Sequence, residues 1–370
     1  MDDVCLIHYD LVKLQEILDV ANHIAKKYHI EFGAAKCKVV RIGRGPKSQL
    51  ILNGETLEET DNYKYLGEIF NNKGDLADHI KSIEGKIHAV TQKIMNTTGN
   101  KEFKGMRMQA IWQLVEATII PIITYGSEGW EMKKREQDQL QTILNKALKT
   151  ILYLPQSMPT AILLAETGFP PVKCIVNKKR IMQAHRIENM KDAPLIKQIT
   201  RGENSTWNME TRKLMSEIKI NPTLLLTSKI NMKKTTDAAV QEARKKEIEN
   251  EAQAKSKIKD WYNLKSKQKI WTRPEYMNKL SRKQCHAIIM TRGRMLPLKT
   301  NRKDNTQNTT CRWCGKEEET QRHILKECEL NPEKLPPDIE YEDIYNDEDI
   351  EKLRKIADHI SGIINKIEET

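Results

Sequence analysis

The sequence predicts a mainly α protein with a small α+β part at its N-terminus, and three observations carry that reading. Apolar residues over most of the chain recur at helical spacing, whereas strand and hairpin signals are confined to residues 1–74. Aromatic content is only 5% against 31% charged residues, the profile of a helical, soluble and somewhat extended chain. Changes of character along the chain divide it into 1–74, 75–220, 221–284, 285–332 and 333–370.

The elements follow in order. Met1-Asp2-Asp3 puts two carboxylates before the apolar run Val4-Cys5-Leu6-Ile7, which reads as a short buried strand. Adjacent carboxylates at such a turn are a natural ligand pair for hard divalent cations. From Leu11 to Ala25 the apolar residues share one helical face. Lys36-Cys37-Lys38 leads into Val39-Val40-Arg41-Ile42, Gly43, Gly45 and Pro46 break the chain, and Gln49 to Gly54 ends in the Asn-Gly signal of a tight hairpin. Tyr63 to Phe70 follows as a second hairpin segment. Leu76, Ile80, Ile83, Ile87, Val90 and Ile94 then mark a helix packed on another helix. A second helix is expected from Met106 to about Ile120, halted by Pro121, whose missing N–H and ring oppose continuation. After the apolar turn Pro121–Trp130, in which Tyr125 and Trp130 read as core anchors, a third helix carries Leu140, Ile143, Leu144, Ala147, Leu148 and Ile151.

Helical patterning continues from Pro155 to about Arg201 and includes the basic stretch Lys178-Lys179-Arg180, His185 and Arg186. Ile220-Asn221-Pro222 reads as a boundary. Asp237 to Lys259 has good helix formers and few large apolar groups, so an exposed connecting helix is expected. Trp261, Tyr262 and Trp271 alternate with lysines, a pattern that suits either amphipathic packing, the preferred reading, or stacking on unpaired bases. Ile350 to Ile367 forms one terminal amphipathic helix after an acidic stretch, Asp338 to Glu351.

The sharpest local signal is Cys311-x2-Cys314-x8-His323-x4-Cys328. Two thiolates two residues apart can grip one ion from a knuckle, Gly315 permitting the turn, while His323 and Cys328 complete a tetrahedron. Three thiolates and an imidazole select zinc over magnesium or calcium, and four protein ligands leave no open position, so the expected role is structural. Seven cysteines, three of them in this cluster, favour a reduced compartment over a secreted disulfide scaffold. With no signal peptide and no apolar run of membrane-spanning length, an intracellular location, nuclear or cytoplasmic, is expected. The net charge of +11 makes a polyanion the first partner to consider. Lys133, Lys134, Arg135, Lys146 and Lys149 would either follow a phosphate backbone or form a solvated face, and Arg292, Arg294, Lys299, Arg302 and Lys303 are the corresponding candidates beside the zinc motif.

The order of these motifs resembles the C-terminal part of a reverse transcriptase of non-LTR (LINE-like) retrotransposons: the Asp2-Asp3 turn, Lys36 and its strand, Tyr63-x-Tyr65-Leu66-Gly67, the Pro121…Tyr125-Gly-x-Glu128-x-Trp130 turn, and the zinc motif with its Arg292–Asn301 flank. The resemblance implies a truncated palm (1–74), a helical thumb with post-thumb helices (75–220), a charged helical connector (221–284), a zinc-binding module (285–332), and an acidic linker with a terminal helix (333–370). It further implies that Asp2 and Asp3 would bind Mg²⁺ in a complete palm, that Lys36 rather than Lys38 would assist the leaving pyrophosphate, and that Tyr65, Leu66 and Gly67 would grip the primer. Met1 would occupy the x of the family's aromatic-x-Asp-Asp turn, so the aromatic residue, like the fingers and the first half of the palm with its other metal-binding Asp, is not in this sequence. The x8 spacing departs from the x4 of nucleocapsid knuckles, and no Asp…Glu-x-Lys endonuclease core follows the zinc motif.

The function expected is therefore that of a C-terminal fragment of an RNA-directed DNA polymerase. It would bind RNA template and DNA primer or target, carry structural Zn²⁺, and not polymerise alone, because two-metal phosphoryl transfer needs more carboxylates than Asp2 and Asp3. The missing N-terminal part would be a partner if made separately. Two alternatives stand beside it: an intact reverse transcriptase whose beginning lies outside this chain, and a non-catalytic zinc-stabilised helical adaptor. An exposed strand edge at the cut palm would leave the N-terminus poorly stable.

Overall fold

Fourteen α-helices and six short strands follow from these patterns among the described residues of the computed structural model, namely 4–45, 47, 49–98, 106–191, 194–202, 205–254, 256–265, 272–301, 308–346 and 349–369. The mainly helical expectation holds. The chain forms two compact units, Met1–Gly85 with Met132–Glu136, and Lys86–Glu131 with Gln137–Thr370.

In the first unit, α1 (Leu11–Lys27) begins where the Asp10 carboxylate accepts from the Val12 and Lys13 N–H groups. Leu14 and Leu18 of α1 pack on a small core of Leu50, Leu52 and Leu57. The strands pair two by two: β1 (Lys38–Val39) lies parallel to β4 (Glu58–Glu59), β2 (Ile51–Leu52) antiparallel to β3 (Glu55–Thr56), and β5 (Asn62–Tyr65) antiparallel to β6 (Glu68–Asn71). Both hairpins close through two residues at positive φ, Asn53 (51°) with Gly54 (84°) and Leu66 (47°) with Gly67 (91°). This turn matches the right-handed strand twist. One expectation fails: Val4–Ile7 is not a buried strand, since it pairs with nothing in a sheet and Ile7 is 86% exposed. An apolar run becomes a buried strand only when a sheet edge and a covering layer are there to receive it.

Helix α2 (Ala77–Thr98) buries Ile80, Ile83, Ile87 and Ile94, the anticipated seam. In the second unit α3 (Met108–Leu114) does not stop at Pro121. It passes through a π turn (Val115–Ile119) into α4 (Ile120–Thr124), the Ile120 N–H donating to the Val115 carbonyl. The wider register places proline in a new first turn, where no N–H is required. Trp130 is buried as expected, but Tyr125 is 55% exposed.

Helices α5 (Lys134–Ile151), α6 (Thr160–Thr167) and α7 (Val172–Glu188) follow. Gly168 caps α6 at φ 75°, with a Cβ there falling 2.5 Å from that of Arg273, so only glycine fits. After α8 (Pro194–Arg201) and α9 (Thr206–Glu217), the Ile220-Asn221-Pro222 corner is packed: Ile181, Leu214, Met215, Ile220 and Met232 form one buried cluster. The next helix, α10 (Lys229–Ala254), was expected to be exposed. It instead buries Met232, Thr236, Val240, Arg244 and Ile248, an i+4 stripe whose fourth member is an arginine. The Arg244 guanidinium donates to the Leu164 and Gly168 carbonyls at the end of α6 (2.8 and 3.3 Å), and burial lowers its pKa to about 10. Then come α11 (Ser256–Lys265), α12 (Tyr276–Lys279), α13 (Arg282–Arg292), opened by a Ser281/Gln284 capping box, and α14 (Ile350–Glu369). The apolar face of α14, including Leu353, Ile356, Ile360 and Ile363, is buried, and this helix packs on α13.

Candidate metal centre

A tight knuckle begins the site. Thr310 and Glu318 form an antiparallel bridge, the Cys311 N–H donates to the Glu317 carbonyl (2.7 Å), and the Gly315 N–H donates to the Cys311 carbonyl (2.9 Å). Gly315 turns the chain at φ 64°. The second half is a π turn, His323–Glu327, in which the Cys328 N–H reaches back to the His323 carbonyl (2.7 Å). That wider turn brings the x4-separated side chains of His323 and Cys328 to one side.

The donor atoms of Cys311, Cys314, His323 and Cys328 all lie within 4.8 Å of one another. Two edges are shorter, Cys311 Sγ to Cys328 Sγ at 3.7 Å and Cys314 Sγ to His323 Nε2 at 3.4 Å. Zinc bonds of about 2.3 Å to sulfur and 2.0–2.1 Å to nitrogen imply tetrahedral edges of roughly 3.5–3.8 Å. The cluster could thus hold a zinc ion. Backbone N–H groups of Glu317 and Lys316 bring the Cys314 thiol down to about 6, while burial and the adjacent Cys311 sulfur push Cys328 up to about 11. A divalent cation supplies the charge that buried thiolates lack. Among four protein donors it would have no open position for water.

Support behind the knuckle comes from residues the sequence did not single out. Glu319 is buried and accepts from the Arg312 N–H (2.9 Å), Nε (3.0 Å) and Nη2 (2.7 Å), and from the Lys299 N–H (2.8 Å). Burial works against its charge, but these donors outweigh burial and hold its carboxyl below the ordinary glutamate range. Arg312 also donates to the Ile367 and Pro297 carbonyls (3.4 and 3.3 Å), tying the knuckle to α14. The available signal was an arginine and a glutamate placed just inside the ligand pattern.

The cations expected to contact nucleic acid divide into outward and inward groups. Lys133, Lys134, Arg135 and Lys146 are exposed. Lys149 is buried and donates to the Gln156 carbonyl (2.7 Å), its pKa lowered by burial. Lys299 Nζ is bound to the Thr310 carbonyl (2.9 Å), and Arg294 pairs with Asp260 (3.0 Å). Arg292 requires correction as a surface contact: fully buried, it pairs with Glu166 at 2.8 Å and donates to the Ile344 carbonyl at 2.9 Å. Glu166 also accepts from Tyr276 (2.7 Å) and Trp261 (3.2 Å). Trp261 is therefore a core residue, as preferred. A lone carboxylate inside the apolar helix Thr160–Thr167 was the sequence clue to this hub.

Lys36 is exposed at the end of a 3-10 turn, Ala34–Lys36, with its carbonyl accepting from the Tyr63 hydroxyl (3.3 Å). Leu66 and Gly67 form the β5–β6 turn, and Tyr65 lies tilted on Phe70 with centroids 6.5 Å apart. Asp2, Asp3, Arg302, Lys303 and Trp271 lie outside the described residues. No helix among the described residues is long and apolar enough to cross a membrane.

No family model and no solved structure matches this chain. Over an alignment of 148 residues that covers 38% of the chain, it is 26% identical to an uncharacterized transposon-derived protein of Caenorhabditis elegans. The matched stretch spans half the length of that relative.

Proposed function

We propose that this chain is the C-terminal portion of a LINE-like RNA-directed DNA polymerase that binds RNA or DNA and carries a structural zinc. The observation that carries this reading is the convergence of Cys311, Cys314, His323 and Cys328 on one centre, at the end of a motif order that resembles that family. The transposon-derived relative supports the same origin. Lys36 and the Tyr65-Leu66-Gly67 turn would act on triphosphate and primer only in a palm that also supplies a complete two-Mg²⁺ carboxylate set.

Metal analysis tests the first part: purified chain is expected to hold one zinc, and cobalt substitution to give the sulfur-to-metal absorption of a three-thiolate site, lost in Cys328→Ser. A metal-free chain with unchanged folding would sink it. Salt titration of binding to labelled RNA and DNA tests the second, with affinity expected to fall as salt rises. Primer extension with Mg²⁺ by this chain alone is expected to give no product. The adaptor reading has its own support in the inward-facing Arg292, Lys149 and Lys299, and salt-independent capture of a protein partner without nucleic-acid binding would favour it.

A further inference from the structure

The positive excess is unevenly distributed. The first unit holds 14 Lys and Arg against 15 Asp and Glu, and the second 48 against 36. Within the second, residues 308–346 around the metal centre carry five cations against ten carboxylates. Arg312 is bound to Glu319, Arg322 to Glu327 and Glu342, and Lys326 to the Pro337 carbonyl. A phosphate backbone approaching the zinc module would meet mainly carboxylates.

Residues 211–236 show the opposite balance, six cations and the single carboxylate Glu217. They flank one rigid feature, the buried cluster of Leu214, Met215, Ile220 and Met232 that joins α9 to α10. Lys213, Lys219, Lys229, Lys233 and Lys234 are all exposed, and none forms an ion pair among the described residues, although Glu217 and Asp237 stand four residues beyond Lys213 and Lys233. Their neighbours Lys178 and Arg180, by contrast, are neutralised by Asp237 and Glu210. Lys229 and Lys233 stand one turn apart at the start of α10, beside the stripe that buries Met232 and Thr236. No aromatic residue lies within 211–236, so this surface has nothing to stack on an unpaired base.

Resting on the nucleic-acid reading above, we infer that the α9–α10 corner, and not the zinc module, is the surface that grips a nucleic-acid duplex through its phosphates. Its contacts are with the backbone and carry no sequence information. The zinc module serves instead as a structural clasp on α14, through Arg312.

The zinc-loaded full chain is titrated into a fluorescein-labelled duplex, by anisotropy, across a range of salt. The quadruple variant Lys213→Gln/Lys229→Gln/Lys233→Gln/Lys234→Gln is expected to bind roughly tenfold or more weakly and to lose about 0.9 of log–log salt slope per phosphate contact removed. Lys→Arg at the same four positions is expected to restore binding, and Lys316→Gln/Lys334→Gln to leave it unchanged. Matching circular-dichroism melts guard against unfolding. Native affinity in the quadruple variant, or loss in the Lys316/Lys334 variant instead, overturns the assignment. So does a quadruple-variant defect confined to a single-stranded oligonucleotide or to phosphatidylserine vesicles. Failure of the unmodified chain to bind any nucleic acid would overturn the proposed function itself, which separates the two.

Discussion

Glu166 and Arg292 show how much a single residue's burial changes its meaning. With 1% and 0% of their side chains exposed, the pair is held by charge and by the Tyr276, Trp261 and Ile344 hydrogen bonds. Glu166→Gln would leave a buried guanidinium without its counter-charge, at an expected cost of about 3–5 kcal/mol in denaturant unfolding. The double variant Glu166→Leu/Arg292→Met removes the unpaired charge but leaves Tyr276, Trp261 and the Ile344 carbonyl without these partners, so it should recover only part of that loss. Glu319 gives a pH dependence. Its carboxyl is more acidic in the fold than in the unfolded chain, so its ionisation stabilises the module fully above the ordinary glutamate value of about 4.3. That stabilisation is lost as pH falls through the depressed folded value. Thermal melts of Glu319→Gln should therefore converge with those of the parent as the solution is acidified, and parallel curves would contradict the assignment. The Cys311, Cys314, His323 and Cys328 cluster was legible in the sequence because its members follow a short, regular spacing. Arg292 was not, because charge alone says nothing about which side of a helix faces the core.

At the level of elements, local chemistry was readable where one or two residues decide the outcome. Asn53-Gly54 announced its hairpin, and the turn has the expected pair of positive φ angles. Leu66 occupies the same position in the β5–β6 turn with a far less suitable side chain. The left-handed region costs an ordinary L-residue about 1–2 kcal/mol, and asparagine tolerates it. Leu66→Asn should stabilise the hairpin by about 1 kcal/mol, slowing exchange of its cross-strand amides about fivefold. Unchanged exchange would show that other Leu66 contacts offset the strain. Pro121 was misread because a local rule met a non-local remedy: the π turn shifts register so that no donor is missing at proline. Helix α10 was misread for a related reason, its stripe being filled by Thr236 and Arg244 as well as by aliphatics. Buried hydrogen bonds to the end of α6 replace the apolar area that a periodicity search looks for.

Across the whole molecule, the two units carry different charge and different amounts of core. The first unit buries few large apolar residues while exposing Val4, Ile7, Tyr9, Val12 and Val20. Amides of Val4–Ile7 should exchange within seconds to minutes at neutral pH, far faster than those of α5 or α13, and protection equal to those helices would reveal a partner layer. Removing zinc with a chelator should deprotect residues 308–346 and the C-terminal end of α14, which Arg312 holds through the Ile367 carbonyl, while the α1 core exchanges as before. The helical class, the hairpin turns, the Cys/His cluster and the basic balance follow from the amino-acid order alone, because each depends on residue type and short spacing. Tertiary structure decided which cations face inward, how the chain passes Pro121, what α10 packs against and where the positive charge is exposed. Those outcomes depend on neighbours distant in sequence, whose carbonyls and carboxylates satisfy a buried charge or leave an exposed one unpaired.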